Sequence, residues 1–326
     1  MHLPSSITRR AFTSSLLLAS APSGWAQALG DPQKRLRIIV PYGSGSGVDI
    51  ASRVIAERMA ERIKQAVIVE NKPGGSAMVG VAALKNATAD GTTIGIIVSG
   101  NAAQPWMTKD LQFDIRKDFT PITIIYSGPL VMTVSTSLPV RTLAEFVAYA
   151  KSNPGKISYG SLGSGTTTHL AAELLAQSAG LQMTQIPYKG SNEIHTAVAS
   201  GDVTMSFDNY VSPRALVDAG KLRALVSTGA KRSQLLPTVP TLAETYPGVE
   251  LGFWTGFAAP KGTPKPIVDQ LARDLRAVMQ TPQVQQHLIN SGSVPGGGPP
   301  EEFEALINND YEKFGRVIRA AGIKPD

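Results

Sequence analysis

The sequence predicts an α/β fold of two lobes that close on a cleft. Short runs rich in β-branched residues alternate with amphipathic helical patterns, and this alternation occurs as two separate series along the 326 residues. A pair of small-residue loops, at 43–47 and 160–167, occupies the same place in each series, after a predicted strand and before a predicted helix. Strands separated by helices at this spacing favour a parallel sheet.

The first series begins at residue 36. Predicted strands at 36–40, 66–70 and 92–98 alternate with predicted helices at 48–62 and 78–86. Turn signals separate them, at residues 71–75 (Asn-Lys-Pro-Gly-Gly) and at Asp90-Gly91. The order is therefore β-α-β-α-β.

The second series begins near residue 130. Its predicted strands are 130–134, 156–159, 183–188, 203–207 and 222–227, and its predicted helices are 143–151, 169–179, 191–199 and 211–219. After Pro237 the chain has no predicted sheet of its own, only helices at about 266–279 and 301–320. We expect lobe I to comprise 29–127 with the returning segment 229–326, and lobe II to comprise 128–228. Two passages between the lobes make a hinge.

Residues 1–28 have the pattern of a secretory signal peptide. Arg9 and Arg10 precede a short apolar run at 11–21, and Ala26-Gln27-Ala28 matches a cleavage site. The arginine pair followed by Phe12 also fits twin-arginine export, so the Sec and twin-arginine routes both stay open. The apolar run is shorter than the ~20 residues that span a bilayer. We expect an exported, soluble protein of the periplasm.

Composition excludes several classes of function. The formal charge is +6, but the 31 Lys and Arg residues are scattered with no run of four, which argues against nucleic-acid binding. The chain contains no cysteine, which excludes disulfides, thiolate catalysis and cysteine-based zinc sites.

The two loops are predicted anion sites. The first N–H groups of a helix lack partners inside it and carry partial positive charge, and glycines let the backbone approach a ligand. We therefore expect the loops to be two halves of one site, with Asp49 supporting the first loop by accepting its N–H groups. The candidate ligand-binding residues are Ser44, Gly45, Ser46, Gly47, Ser161, Gly163, Ser164, Gly165, Thr166 and Thr167.

Other readings of the loops fit less well. The first loop lacks the third glycine of a dinucleotide fingerprint, although Glu70 at the end of the next predicted strand keeps a nicotinamide cofactor as an alternative. No P-loop and no G-x-S-x-G elbow occurs at either loop. His169 and Glu173, four residues apart, are a weak metal signal. Glycines that serve only tight turns remain a further alternative. We expect no catalytic residue, cofactor or metal.

Two polar residues follow predicted strands outside the loops. Open α/β sheets bind ligands beyond the carboxyl ends of their strands. Asp208 and Asn101 stand at such ends and are predicted to reach the ligand, with a turn residue as the equal alternative for Asp208. Trp254 is predicted to be core or cleft wall.

Several motifs carry a resemblance that covers nearly the whole mature chain in order. They are Arg37-Ile38-Ile39-Val40-Pro41-Tyr42, the loop with Asp49 and Arg53, Val69-Glu70-Asn71-Lys72-Pro73-Gly74-Gly75, Ala89-Asp90-Gly91-Thr92-Thr93, Asp118-Phe119-Thr120-Pro121-Ile122, Tyr159-Gly160-Ser161 with Gly165 and His169-Leu170, Pro187-Tyr188-Lys189-Gly190, Gly201-Asp202-Val203 and Ala259-Pro260-Lys261-Gly262-Thr263-Pro264. In these motifs the chain resembles the Bug family of extracytoplasmic solute receptors, which serve tripartite tricarboxylate transporters.

The resemblance implies a periplasmic Venus-flytrap fold with a hinge and an interlobe cleft. It also implies that the two loops, together with Tyr42, hold a ligand carboxylate through backbone, hydroxyl groups and ordered water, with Asp208 near the distal part of the ligand. The first loop departs from the family, whose members usually carry Pro-x-x-Gly-Gly-x-x-Asp with Ala or Pro. Tyr42-Gly43-Ser44-Gly45-Ser46-Gly47 is more polar and more flexible.

We therefore expect a non-enzymatic, monomeric receptor. Its ligand would be a small carboxylate: a di- or tricarboxylate, an acidic amino acid or an aromatic carboxylate. Its partner would be a membrane permease, with no nucleic acid. The alternative from another class is an exported, hydrolase-like α/β enzyme that acts on a small carboxylate in the same cleft.

Overall fold

The computed structural model describes residues 35–233, 235–320 and 322. The predicted signal peptide at 1–28 lies outside these residues. Within the described part of the chain, no helix is both long enough and apolar enough to cross a membrane.

Strands and helices alternate along most of the chain. The strands are β1 (Leu36–Val40), β2 (Val67–Asn71), β3 (Thr93–Val98), β4 (Phe119–Pro129), β5 (Val131–Ser135), β6 (Ser158–Ser161), β7 (Thr184–Pro187), β8 (Met205–Asp208), β9 (Leu222–Ser227), β10 (Gly252–Pro260) and β11 (Val294–Pro295). The helices are α1 (Gly47–Ile63), α2 (Met78–Lys85), α3 (Leu143–Ser152), α4 (Thr167–Ala179), α5 (Ser191–Ser200), α6 (Arg214–Asp218), α7 (Leu242–Thr245), α8 (Lys265–Met279), α9 (Pro282–Asn290) and α10 (Pro300–Ala320).

The strands form two sheets. The first has the order β11-β4-β10-β3-β1-β2 and the second the order β7-β6-β8-β5-β9. We call the first sheet with its helices lobe I and the second lobe II. The segment from β5 to β9 supplies every strand of the second sheet, and β10 and β11 return to the first. The prediction of an α/β fold with two sheets is confirmed.

The prediction of parallel pairing is right for only part of each sheet. β1 pairs in parallel with β2 and β3, and β6 pairs in parallel with β7 and β8. In contrast, β10 is antiparallel to β3 and β4, and β5 is antiparallel to β8 and β9. The sequence does not predict the strands β4, β10 and β11. The β10 segment is buried almost throughout, so it shows no alternation of polar and apolar residues.

The chain passes between the lobes twice, once between β4 and β5 and once between β9 and β10, and residues beside these passages are hydrogen-bonded to one another. The Thr228 amide donates to the Leu130 carbonyl oxygen at 2.9 Å, and the Leu251 amide donates to the Thr228 carbonyl oxygen at 2.9 Å. The Thr228 hydroxyl oxygen also accepts from the Leu130 amide at 2.9 Å. Because Thr228 is fully buried, these bonds are shielded from water and tie the passages together.

The C-terminal helices pack on the first sheet, as the sequence predicts. Helix α8 buries Ile267, Leu271 and Leu275 on one side, which is the spacing of an amphipathic helix. Helix α10 contacts β4 and also α4 of lobe II, and Phe303 and Phe314 on it are fully buried. The core around α10 is therefore shared by both lobes.

Gly256 on β10 is packed closely against a buried ring in this core. A Cβ atom placed on Gly256 would lie 2.3 Å from Cζ of Phe303. Gly256→Ala should therefore lower the free energy of unfolding by about 1–3 kcal/mol, because the buried ring must shift. Urea unfolding followed by circular dichroism measures this.

Gly43→Ala is the matched control, since a Cβ at Gly43 would meet nothing within 4 Å. It should change the free energy of unfolding by less than about 0.5 kcal/mol. Equal losses in the two variants would contradict the packing described for Gly256.

Candidate functional site

A cavity of about 770 Å³ lies between the lobes, and we call it the interlobe cavity. Its wall is built where β1, β3, β6, β7 and β8 end and the chain turns towards the next element. The carboxyl ends of parallel strands are the usual ligand site of open α/β sheets. Residues from these ends include Tyr42, Ser46, Gly47, Ser99, Gly100, Leu162, Gly165, Thr166, Thr167, Tyr188, Lys189 and Asn209.

The first loop is held by Asp49, the third residue of α1. Gly45 has φ +82°, and its amide donates to Oδ2 of Asp49 at 2.8 Å. The Ser46 hydroxyl oxygen accepts from the Asp49 amide at 3.2 Å and caps the helix. The Ser44 hydroxyl also lies 3.5 Å from Oδ2 of Asp49. The carboxylate of Asp49 thus points towards the first loop and contacts Ser44 and Gly45.

Asp49 is ionised despite its burial. Burial by itself raises the pKa of Asp49, but hydrogen bonds from Arg53, Gly45 and Asn71 together outweigh it and lower the pKa to about 2. Arg53 Nε lies 3.1 Å from both carboxylate oxygens, and Asn71 Nδ2 donates to Oδ1 at 2.8 Å. Asn71 Nδ2 also donates to the Tyr42 carbonyl oxygen at 3.0 Å, which connects the loop to β2.

The second loop repeats this arrangement with a different side chain. Gly165 has φ +78°, and its amide donates to Nδ1 of His169, the third residue of α4, at 3.2 Å. The Thr166 hydroxyl oxygen accepts from the His169 amide at 3.4 Å. Burial lowers the pKa of His169 to about 4, so the ring is neutral at neutral pH and Nδ1 can accept. The sequence interpretation of His169 missed this role.

The two loops therefore share one pattern: a glycine with positive φ, a hydroxyl residue that caps the helix, and an acceptor side chain three residues later. The acceptor side chain accepts a hydrogen bond from the glycine amide, and the first amides of the helix are left without a partner in the described part of the chain. The amides of Gly47, Val48 and Thr167 have no acceptor among the described residues, and all three residues line the interlobe cavity. Such amides carry the partial positive charge of the helix N-terminus.

A third helix N-terminus, that of α2, also reaches the cavity. Residues 74–77 all have positive φ, including the non-glycine residues Ser76 and Ala77. Such a conformation costs about 1–3 kcal/mol for each non-glycine residue and needs support. Gln104 Nε2 donates to the Ser76 carbonyl oxygen at 2.9 Å, and Asn101 Nδ2 donates to Oε1 of Gln104 at 3.2 Å. Asn101 is fully buried and thus braces this loop through Gln104.

A fourth N-terminus, that of α5, lies on the lobe II side. Tyr188, Lys189 and Ser191 line the cavity there, and the Tyr188 amide donates to the Ser161 carbonyl oxygen at 2.9 Å. Lys189 is the single charged residue among the described residues that line the interlobe cavity, and no acidic residue lines it. Glu193 of α5 instead accepts from the Lys189 amide at 3.4 Å, outside the wall.

The remaining wall is largely aromatic. Tyr42, Tyr126, Phe253 and Trp254 line it. Burial raises the pKa of Tyr126, with a smaller opposing effect from a hydrogen bond with Thr255, and burial followed by the proximity of Tyr126 raises the pKa of Tyr42. Both phenols are neutral at neutral pH.

The structure brings only part of the predicted set to the cavity wall. Tyr42, Ser46, Gly47, Gly165, Thr166 and Thr167 line it, whereas Ser44, Gly45, Asn101, Ser161, Gly163, Ser164 and Asp208 do not. Ser161 is buried behind the second loop, where its hydroxyl oxygen accepts from the Gly163 amide at 3.2 Å and from Nε2 of Gln185 at 2.7 Å.

Asp208 stands behind the wall, with its carboxylate already occupied. Oδ2 lies 3.1 Å from Nε2 of His195, and Oδ1 accepts from the Asn209 amide at 2.8 Å. Both Asp208 and His195 are buried, and Asn209 is the neighbour that lines the cavity. His195 Nε2 also lies 3.0 Å from the Ser212 hydroxyl oxygen, so one nitrogen serves both contacts.

Sequence reasoning missed several wall residues, notably Ser76, Tyr126, Lys189, Ser191 and Phe253. The sequence shows the glycine pair at 74–75 as part of a turn. It shows the Pro-Tyr-Lys-Gly motif at 187–190 as part of the family resemblance. Both are loops that precede helices, like the loops at 43–47 and 160–167, and this shared position is the signal that identifies them. Within the described ranges, no group of three or more potential metal-ligating side chains occurs.

The chain matches known proteins along most of its length. The family model for the tripartite tricarboxylate transporter family receptor matches residues 51–323. A protein of Cupriavidus necator, named for the gbd 5' region, is 34% identical over 313 residues, which are 96% of this chain and 95% of that protein. Protein BugT of Bordetella pertussis is 28% identical over 298 residues, 90% of this chain and 91% of BugT.

Solved structures agree with these matches. Rpa4515 of R. palustris, solved with adipate, has a TM-score of 0.81 at 33% identity, covering 90% of this chain and 99% of Rpa4515. The periplasmic binding protein BugD has a TM-score of 0.79 at 29% identity, covering 90% of this chain and 100% of BugD. MatC of Rhodopseudomonas palustris, with bound malate, has a TM-score of 0.77 at 25% identity, covering 88% of this chain and 99% of MatC.

The family model covers far more than half of the chain, and the fold is that of the solved relatives. The chain therefore belongs to the receptor family of the tripartite tricarboxylate transporters, as a periplasmic solute-binding protein and not an enzyme.

Proposed function

We propose that this receptor binds a small dicarboxylate in the interlobe cavity and delivers it to the membrane components of a tripartite transporter. One observation carries the proposal. Four helix N-termini, those of α1, α2, α4 and α5, meet at a cavity whose described wall has one lysine and no carboxylate. Such a cavity favours a ligand with more than one negative charge.

The first carboxylate would bind between α1 and α4. The unused amides of Gly47, Val48 and Thr167 are suitable donors. Ser46 and Thr166 lie beside them in the wall, and their hydroxyl oxygens cap the two helices. Ordered water can complete such a site without an arginine. In this proposal Ser44, Gly45, Gly163, Ser164 and Asp49 shape the loops.

The second carboxylate would bind near Lys189 at the α5 N-terminus. The first amides of α2 already donate to the carbonyl oxygens of Gly75 and Gly74, so α2 would contribute only the dipole of its helix. Asp208 does not line the cavity, so it would not repel this group. An acidic amino acid is less well matched, because its ammonium group would find no carboxylate in the wall. The adipate and malate in the solved relatives support the dicarboxylate class.

Binding would draw the lobes together. In this proposal lobe I moves against lobe II about Leu130, Thr228 and Leu251. Lobe I comprises residues 29–127 and 229–326, and lobe II comprises residues 128–228. A ligand that contacts loops of both lobes stabilises the closed arrangement by the difference in its affinity for the two states. The segment 1–28 would direct export by the Sec or the twin-arginine route.

A ligand panel tests the proposed class. The mature chain, residues 29–326, is stripped of ligand in denaturant, refolded and screened by thermal unfolding with succinate, malate, adipate, glutamate, butyrate and citrate. A dicarboxylate at 100 times its dissociation constant should add about 2.7 kcal/mol of stability, which raises the melting temperature by a few degrees. If only butyrate or glutamate shifts the melting temperature, the dicarboxylate proposal is wrong.

Lys189→Gln tests the second carboxylate. Loss of one charge-assisted contact, about 1.5–3 kcal/mol, should weaken dicarboxylate binding by roughly tenfold or more. A monocarboxylate with the same chain should be affected less than threefold, because it lacks the group that contacts Lys189. Isothermal titration calorimetry measures both.

Lys156→Gln is the matched control, because it removes the same charge from an exposed position of lobe II away from the cavity. It should leave the affinity for both ligands unchanged. An equal effect of the two substitutions would mean that Lys189 acts through the overall charge alone.

Asp49→Asn tests the loop support. The folded pKa of about 2 lies below the ordinary value of 3.8, so the stabilisation by Asp49 is present above about pH 4 and is lost as the pH falls through 2. The variant should lose about 2 kcal/mol of unfolding free energy at pH 7. Urea unfolding should show this difference shrinking between pH 4 and pH 2, whereas Asp110→Asn, at an exposed position, should show no difference at either pH.

A further inference from the structure

A second cavity of about 690 Å³ lies beside the passages between the lobes, and we call it the hinge cavity. Residues 127–129, 228–233 and 250–254 form one side of it, and α10 and the turn after α9 form the other. Three of the large apolar side chains that are exposed to solvent lie in its wall: Leu235, Ile289 and Val294. The hinge cavity therefore has an apolar part, although charged residues such as Lys231, Arg232 and Glu250 also line it.

The hinge cavity and the interlobe cavity share part of their walls. Phe253, Trp254 and Ser293 line both. Trp254 is fixed in place, because its Nε1 donates to Oδ2 of Asp310 at 2.7 Å and its ring meets Phe303 edge-on at 5.2 Å. Phe253 has no polar group in its side chain and is only half-buried. Phe253 is thus the large side chain of the shared wall that no hydrogen bond holds in place.

The ring of Phe253 is positioned by two neighbours, one on each side of the shared wall. Phe253 stands opposite Gly128 in the β10–β4 ladder, and a Cβ at Gly128 would lie 2.9 Å from Cζ of the ring. The ring also meets Tyr126 edge-on at 6.2 Å. Gly128 lines the hinge cavity and Tyr126 lines the interlobe cavity, so the ring lies at the boundary between them.

We propose that Phe253 is a specificity-determining residue that limits the length of the ligand. Its ring closes the interlobe cavity on the side of the hinge cavity, so a dicarboxylate with a long methylene chain meets the ring. Without the ring, the middle of a long methylene chain could bend into the hinge cavity while both carboxylates stay in the interlobe cavity. This inference rests on the proposed dicarboxylate function and adds the residue that selects among dicarboxylates.

Phe253→Ala tests the inference with a series of unbranched dicarboxylates: succinate, glutarate, adipate, suberate and sebacate. Wild-type affinity should fall beyond the length that reaches the ring. In the variant the longest tolerated ligand should increase by at least two methylenes, and each methylene that leaves water should add roughly fourfold in affinity. Calorimetry gives the dissociation constants, and thermal unfolding shows that the variant is folded.

Leu306→Ala is the matched control. Leu306 lines the hinge cavity and not the interlobe cavity, so its truncation enlarges the hinge cavity and leaves the ring of Phe253 in place. The Leu306→Ala variant should bind the series of dicarboxylates with the same order of affinities as the wild type. If Phe253→Ala does not fold, Phe253→Leu, with a smaller apolar side chain, is measured by the same criteria and should show a smaller shift in the same direction.

The outcomes separate this inference from the proposed function. Dicarboxylate binding with the same order of lengths in wild type and the Phe253 variant overturns the role of Phe253 and leaves the proposed function standing. A shift that Leu306→Ala reproduces, or loss of binding at every length in a folded variant, also overturns it. No dicarboxylate binding by the wild type overturns the proposed function itself.

Discussion

The interlobe cavity depends on one constraint: the first amides of a helix must find acceptors outside it. In α1 and α4 the side chain of the third helical residue accepts a hydrogen bond from an amide of the preceding loop. Asp49 accepts from the Gly45 amide, and His169 accepts from the Gly165 amide. The loop is thereby fixed while the first helical amides stay unused. The two lobes reach the same geometry with an ionised carboxylate in one case and a neutral imidazole in the other.

The difference between these two acceptors has an electrostatic consequence. A carboxylate next to an anion site would repel the anion, but Arg53 and Asn71 bind the carboxylate of Asp49 and Arg53 balances its charge. The imidazole of His169 needs no such balance because its burial keeps it neutral. The positive character of the cavity therefore comes from the helix ends and from Lys189, in a wall that is otherwise uncharged among the described residues.

The antiparallel strands give this site its frame. β10 lies between β3 and β4, so the returning chain joins the centre of the first sheet and brings Phe253 and Trp254 to the edge of the cavity. The same strand begins one residue after Leu251, which is hydrogen-bonded to Thr228 at the passage between the lobes. Phe253 and Trp254 of the aromatic wall and Leu251 at the hinge are therefore parts of one continuous segment.

The sequence by itself determined the elements whose signals are local. The alternation of strands and helices and the two glycine loops both depend on residues a few positions apart. The family resemblance rests on such short motifs as well. These were enough to place the cavity at the loops that precede α1 and α4.

Only the tertiary structure decided which side chains face the cavity. Asp208 ends β8 and Lys189 follows β7, both in lobe II. The carboxylate of Asp208 contacts the buried His195 behind the wall, whereas Lys189 lines the cavity. The contribution of β10, from more than 120 residues beyond β4, likewise depends on strand pairing between distant segments. Contacts of this kind leave no periodic pattern in the chain, because a partner across the fold rather than a neighbour in sequence determines them.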